Sequence, residues 1–182
     1  MDLGQYRTLV FDCDGVILNS NKVKTDAFRI AATAYGEAAA DALVTHHVAN
    51  GGISRYRKFS HFLEQIVPAG VDGPGLDALL AHYAEAVRDG LLQCDISEGL
   101  AALRALTPAA RWMVVSGGDQ AELRSVFAKR GIEAYFDGGI FGSPDTKHEI
   151  LARERATGNL VDSALFLGDS RYNHEASMTA GL

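Results

Sequence analysis

Four short apolar runs, each stopping at small or acidic residues, constrain this chain more than any other feature of its sequence. Residues 8–11 (TLVF) end at Asp12-Cys13-Asp14-Gly15, and residues 112–115 (WMVV) end at Ser116-Gly117-Gly118. Residues 139–141 (GIF) stop near Gly142-Ser143-Pro144, and residues 164–167 (ALFL) stop at Gly168-Asp169-Ser170. Runs that are apolar throughout, not alternating, suit strands buried on both faces of a parallel sheet. Helices fit between them: residues 120–130 carry Leu123, Val126 and Phe127 at helical spacing, and residues 147–155 follow a turn. The expected fold is α/β, a Rossmann-like parallel sheet with helices on both faces. In such folds function gathers beyond the carboxyl ends of the strands, where all of these polar loops fall.

Residues 20–92 interrupt the alternation. Helical patterns cover 23–35, 56–66 and 76–87 with no convincing strand between them, and residues 70–75, with Pro74, read as a loop. The expected organisation is a core of residues 1–19 and 93–182 with a helical insertion at 20–92, re-entering the core near 94–98. Residues 176–180 read as the start of a helix and Gly181-Leu182 as its exit toward a further strand.

A net charge of −6 and the lack of a basic stripe with interleaved aromatics argue against a nucleic-acid surface. No run is long enough to span a membrane, and the N-terminus lacks the features of a signal peptide. Two cysteines, Cys13 and Cys94, suit a reducing compartment, so a cytoplasmic location is expected. The oligomeric state is left open. A small anionic substrate remains compatible, because a local cationic pocket can sit on an acidic protein.

The loops supply Asp12 and Asp14, Ser116, Lys147 and Asp169. Singly these residues are bland: a turn or calcium-type loop, a helix cap, a solvated lysine, a turn aspartate. Together they match what phosphoryl transfer requires, namely a nucleophile, compensation for the phosphoryl oxygens and aligned donors. Two carboxylates one residue apart at the end of a buried strand also need cationic compensation, from a metal or a lysine.

The ordered set FDCDGV, VVSGG, the lysine of SPDTKHEIL, and LGDSRYN resembles the haloacid dehalogenase superfamily of phosphohydrolases. That resemblance implies that Asp12 is the nucleophile and that Asp14 is the acid that protonates the leaving alkoxide and then activates water. It implies Mg2+ between the Asp12 carboxylate, the Asp14 backbone carbonyl and Asp169. Ser116 and Gly117 are expected to hold phosphoryl oxygens, and Lys147 to orient Asp12. The Cys13 backbone N–H is expected to face the phosphate. A dehalogenase generally lacks the second aspartate, so the intact pair favours phosphoryl transfer. Relatives usually carry an acid where this chain has Asn173, which is expected to serve as a weaker metal ligand; Asn19 stands where aspartate is common.

The insertion matches the superfamily's mobile cap. Its NGGISRYRKF stretch resembles the cap loop of the phosphoglycolate phosphatase and β-phosphoglucomutase branch, with Ser54 as N-cap and Arg55 as the expected contact to an anionic substrate group. His46, His47, Arg57 and Lys58 add positive character there, although the two histidines read as structural or exposed. His148 and His174 lack companions at zinc-ligand spacing. The expected partner is a small phosphorylated metabolite, a sugar phosphate or phosphoglycolate. A phosphomutase and a weakened regulatory domain are the alternatives.

Overall fold

A computed structural model describes residues 3–182 of the chain. Met1 and Asp2, the first residues of the expected core segment, lie outside the described residues. The strands are β1 (Thr8–Phe11), β2 (Arg111–Asp119), β3 (Ile140–Ser143) and β4 (Ala164–Leu167). They form one sheet in the order β3-β2-β1-β4, with every neighbouring pair parallel. The helices are α1 (Asn21–Ala32), α2 (Glu37–Ala49), α3 (Arg55–His61), α4 (Leu76–Gln93), α5 (Leu100–Leu106), α6 (Gln120–Lys129), α7 (Lys147–Ala156) and α8 (Arg171–Thr179).

Successive strand residues point to opposite faces. Leu9, Phe11, Trp112 and Val114 pack into one cluster, and Val10, Met113 and Val115 pack into another with Ile150, Leu151 and Ala176 of α7 and α8. All four residues of β1 are buried. This two-sided burial is why β1 and residues 112–115 of β2 read as apolar throughout; β4, expected to be buried as well, lies at the sheet edge and is only half-buried. Strand β2 continues beyond residue 115 and carries Ser116, Gly117 and Gly118 in the strand itself, up to Asp119.

The insertion carries helices α1 to α4 joined by loops and no strand, and α3 runs on into a π-helical turn at Phe62–Ile66. Its own core, including Phe28, Leu43, Phe59, Phe62, Leu79 and Tyr83, is continuous with one face of the sheet. Its entry and exit run side by side: Leu18 bridges Ile96, the Asn19 N–H donates to the Asp95 carbonyl at 2.9 Å, and the Ser97 N–H donates to the Ile17 carbonyl at 2.9 Å. Arg130 then clamps the Leu91 and Cys94 carbonyls at 2.9 and 2.8 Å.

Three helices differ from the sequence expectation. Helix α2 was not anticipated, because its apolar residues are mostly alanines that mark no face; only Ala39, Ala40 and Leu43 are buried. The short α5 was likewise missed. Helix α8 begins at Arg171, not near Ala176. Ser170 caps it by accepting from the Asn173 N–H at 3.2 Å, and this polar first turn precedes any apolar periodicity. Among the described residues no helix is long and apolar enough to cross a membrane.

Candidate active site

Parallel pairing of β1 with both β2 and β4 sets three loops side by side, and β3 delivers the fourth. Asp12 follows β1 directly and is almost fully buried. Its Oδ2 meets Lys147 Nζ at 2.7 Å and accepts from Asn173 Nδ2 at 2.7 Å. Lys147 also donates to Asn173 Oδ1 at 2.5 Å, which closes a three-residue ring. The position of Lys147 is fixed by a capping box at the start of α7, in which Thr146 and Glu149 bond one another's backbone N–H groups. Asn173 lies in the first turn of α8, and both of its side-chain polar atoms are taken by Asp12 and Lys147. To serve as a metal ligand it would have to give up its bond from Lys147.

Asp14 is held from the insertion. Its Oδ1 accepts from Ser20 Oγ at 2.6 Å, and its Oδ2 pairs with Lys24 Nζ at 2.6 Å. Burial pushes the Asp14 carboxyl up, but Lys24 and Ser20 outweigh burial and hold it below its ordinary range. Lys24 was missed in the sequence. The available signal was spacing: Ser20 and Lys24 are one helical turn apart and face back to the same aspartate.

The Asp169 carboxylate lies against loop one, so closely that a Cβ on Gly15 would be 2.1 Å from its Oδ2. Asn21 Nδ2 donates to the same oxygen at 3.4 Å. Among the described residues no group of three or more His, Cys, Asp or Glu side chains is arranged to hold a metal ion. The donor set is therefore two carboxylates, Asp12 and Asp169, beside the backbone oxygens of loop one. Such a set fits a hard cation that uses one or two carboxylates and retains waters; it does not fit a closed cage.

Gly117 and Gly118 line the cavity, whereas Ser116 is fully buried and is not part of its wall. Ser116 Oγ accepts from the Gly118 N–H at 3.0 Å, and Ser143 Oγ points at the Gly117 and Gly118 carbonyls at 2.9 and 3.0 Å. The insertion's glycine loop presses on this segment: a Cβ on Gly117 would lie 2.2 Å from the Gly52 carbonyl oxygen. The Cys13 N–H donates to Asp12 Oδ1 at 2.7 Å instead of pointing at an open phosphate position. Burial pushes the Cys13 thiol up, consistent with a packing role.

One cavity of about 670 Å³ contains Asp12, Asp14, Gly117, Gly118 and Asp169 on the sheet side. On the insertion side it is lined by Lys24, Phe28, His47, Arg55, Lys58 and Tyr83. Ser54 does cap α3, accepting from the Arg57 N–H at 3.4 Å. Arg55, expected to meet substrate, reaches the wall with its guanidinium engaged: NH1 bonds Glu122 at 2.9 Å and NH2 approaches Asp119 at 3.7 Å. Its partners come from the end of β2 and the start of α6, which sequence spacing does not reveal. His46 stacks on His61 with ring centroids 4.0 Å apart, but His47 lines the cavity.

A parallel α/β sheet with paired aspartates after its first strand, a lysine after its third and a helical layer over them defines a hydrolase of the superfamily named by the sequence motifs. The chain belongs to the haloacid dehalogenase-like hydrolases, whose family model matches residues 6–176. No curated protein matches it in sequence. Among solved structures it resembles a predicted phosphoglycolate phosphatase from Haemophilus somnus 129PT, with TM-score 0.75 and 17% identity over 98% of this chain and 84% of that one. It is also similar to a predicted phosphatase from Clostridium acetobutylicum, with TM-score 0.74 and 16% identity over 97% and 82% of the two chains. A Thermotoga maritima protein described as a β-phosphoglucomutase matches with TM-score 0.63 and 17% identity over 97% and 82%. At these identities the likeness is one of fold.

Proposed function

We propose that this hydrolase is a magnesium-dependent phosphatase of small phosphorylated metabolites, of the sugar phosphate or phosphoglycolate type, acting through an aspartyl-phosphate. The observation that carries the reading is the buried Asp12, aimed by Lys147 and Asn173, with Asp14 two residues on in the wall of the same cavity. Residues 20–92 would act as the lid, with residues 1–19 and 93–182 as the core. Closure of such a lid excludes water from the transfer step.

Asp12 attacks phosphorus, forming a carboxyl–phosphoryl bond as the ester P–O bond breaks. Asp14 supplies the proton to the departing alkoxide oxygen once substrate binding has relaxed the Lys24 and Ser20 contacts, which otherwise favour its ionised form, and let it take up a proton. It then takes a proton from the water that attacks phosphorus, and Asp12 is released with inorganic phosphate. Lys147 keeps the Asp12 carboxylate oriented and places positive charge beside the transferring group. Gly117, on the cavity wall, is the segment that would meet the phosphoryl oxygens, with Ser116 behind it holding the Gly118 N–H. Asp12, Asp169 and the Asp14 backbone carbonyl would hold Mg2+, which supplies charge neutralisation to the phosphoryl oxygens. The location this implies is the cytoplasm, where both magnesium and such substrates are abundant.

The test is p-nitrophenyl phosphate turnover with and without magnesium. Turnover should require the metal and vanish in Asp12→Asn; undiminished turnover in that variant refutes the assigned nucleophile. Free phosphate release from β-glucose 1-phosphate in the presence of its bisphosphate separates a phosphatase from a mutase.

A further inference from the structure

Among the described residues four basic side chains are buried: Lys24, Arg55, Lys58 and Lys147. Three meet a carboxylate, Lys147 with Asp12 at 2.7 Å, Lys24 with Asp14 at 2.6 Å and Arg55 with Glu122 at 2.9 Å. Lys58 meets none. Its hydrogen bonds both go to one histidine, to His47 Nδ1 at 2.8 Å and to the His47 carbonyl at 3.4 Å, and its Nζ lies 5.5 Å from the Phe28 ring centroid. The side chain is only 2% exposed, yet it forms part of the cavity wall.

A buried ammonium without a counter-charge is costly, and a neutral histidine does not replace a carboxylate. His47 is kept neutral by burial and by Lys58 and Lys24, which lower it to about 3. With Nδ1 accepting from Lys58, the neutral ring carries its proton on Nε2 as a second donor, and both residues line the cavity. A cation and a neutral N–H donor, set in an apolar surround, make a receptor for an anion. The arginine that sequence pointed to does not have that freedom, because Glu122 and Asp119 already neutralise it.

Resting on the phosphatase reading above, we infer that Lys58, together with His47, receives a second acidic group of the substrate while the ester to be cleaved lies at Asp12. The substrate class is then a compact phosphate ester carrying a carboxylate or a second phosphoryl group within one cavity.

Matched pairs test this on the magnesium-loaded full chain: 2-phosphoglycolate against ethyl phosphate, and glucose 1,6-bisphosphate against glucose 1-phosphate. The member with two acidic groups should have a kcat/KM higher by roughly ten- to a hundredfold, the worth of a charge-assisted hydrogen bond. The pair that shows it distinguishes carboxylate from phosphoryl. Lys58→Met and Lys58→Gln should each erase the preference while the protein still unfolds cooperatively. No preference in either pair, or one that survives both variants, overturns the inference. A calorimetric comparison in Asp12→Asn reads the same preference without turnover. Equal affinity for 2-phosphoglycolate and ethyl phosphate there overturns it too, whereas failure of all compounds to release phosphate from the wild type overturns the phosphatase reading instead.

Discussion

Lys58 also makes a prediction about stability, with a sign opposite to the usual loss on mutating a buried residue. Burial, with Lys24 adding to it and Asp14 opposing, lowers Lys58 from 10.5 to about 7. Each pKa unit corresponds to about 1.4 kcal/mol. At pH 7 the charged form in the folded state thus carries a penalty of about 4 kcal/mol relative to the unfolded chain; by pH 9.5 the penalty is about 1.5 kcal/mol. The sign follows from proton counting. Between pH 7 and 10.5 the unfolded chain binds more protons at this site than the folded one, so wild-type stability gains from this group as pH rises. Lys58→Met keeps most of the apolar contact with Phe28, removes the penalty, and gives up a hydrogen bond with a net worth of about 1 kcal/mol. The variant should therefore be more stable by about 3 kcal/mol at pH 7 and nearly equal to wild type at pH 9.5. Urea unfolding followed by fluorescence of the single, fully buried Trp112 measures both gaps. His47 in the unfolded chain, with an ordinary value of 6.5, is about a quarter protonated at pH 7, an effect of only about 0.2 kcal/mol. A variant less stable than wild type at pH 7, or a gap that widens with pH, refutes the account of Lys58 as an uncompensated charge.

Two further substitutions probe the sheet side of the cavity. Asn173→Asp replaces the amide that donates to Asp12 with a second carboxylate. It should reduce the unfolding free energy in EDTA by about 1–3 kcal/mol through lost and repulsive contact, read as a lower melting temperature, and tighten the magnesium titration; an unchanged titration removes this position from any influence on the metal. Gly117→Ala puts a Cβ 2.2 Å from the Gly52 carbonyl oxygen, a backbone atom that cannot rotate away. Displacing the glycine loop by that clash should lower kcat/KM for p-nitrophenyl phosphate by about a hundredfold, and a change below about twofold would mean the two segments separate freely.

The sheet side of the candidate site was legible because each of its residues is tied to a strand end. Asp12, Asp14, Lys147 and Asp169 follow apolar runs whose parallel pairing forces the loops together, so chain order and residue type sufficed. The insertion's contribution was not legible in the same way. Lys58 and His47 sit on different helices, α3 and α2, and α2 itself was hidden by its alanines. The partners of Arg55 depend on how α3 docks against β2, a tertiary fact with no local signature. Asn173 was read by its alignment with an acidic position. What it does here, bridging Asp12 and Lys147, follows from its place in the first turn of a helix that begins earlier than the apolar pattern suggested.

The three buried cations of the insertion differ in what neutralises each one. Lys24 is bound by Asp14 from the loop after β1, and Arg55 by Glu122 and Asp119 from the region between β2 and α6. Both pairs cross from the insertion to the core. Breaking either would strand a buried charge, which is far more costly than an exposed pair is valuable. Tyr56, donating to Asp119 at 2.8 Å, reinforces the second crossing. These contacts hold the insertion against the loops at the carboxyl end of the sheet. Lys58 contributes nothing to that docking, because His47 belongs to the insertion as well. Its charge is instead left facing the enclosed volume, and a ligand is the remaining source of compensation. Removing Arg55's charge is then expected to weaken the docking of the insertion, and removing Lys58's charge to change what the cavity selects.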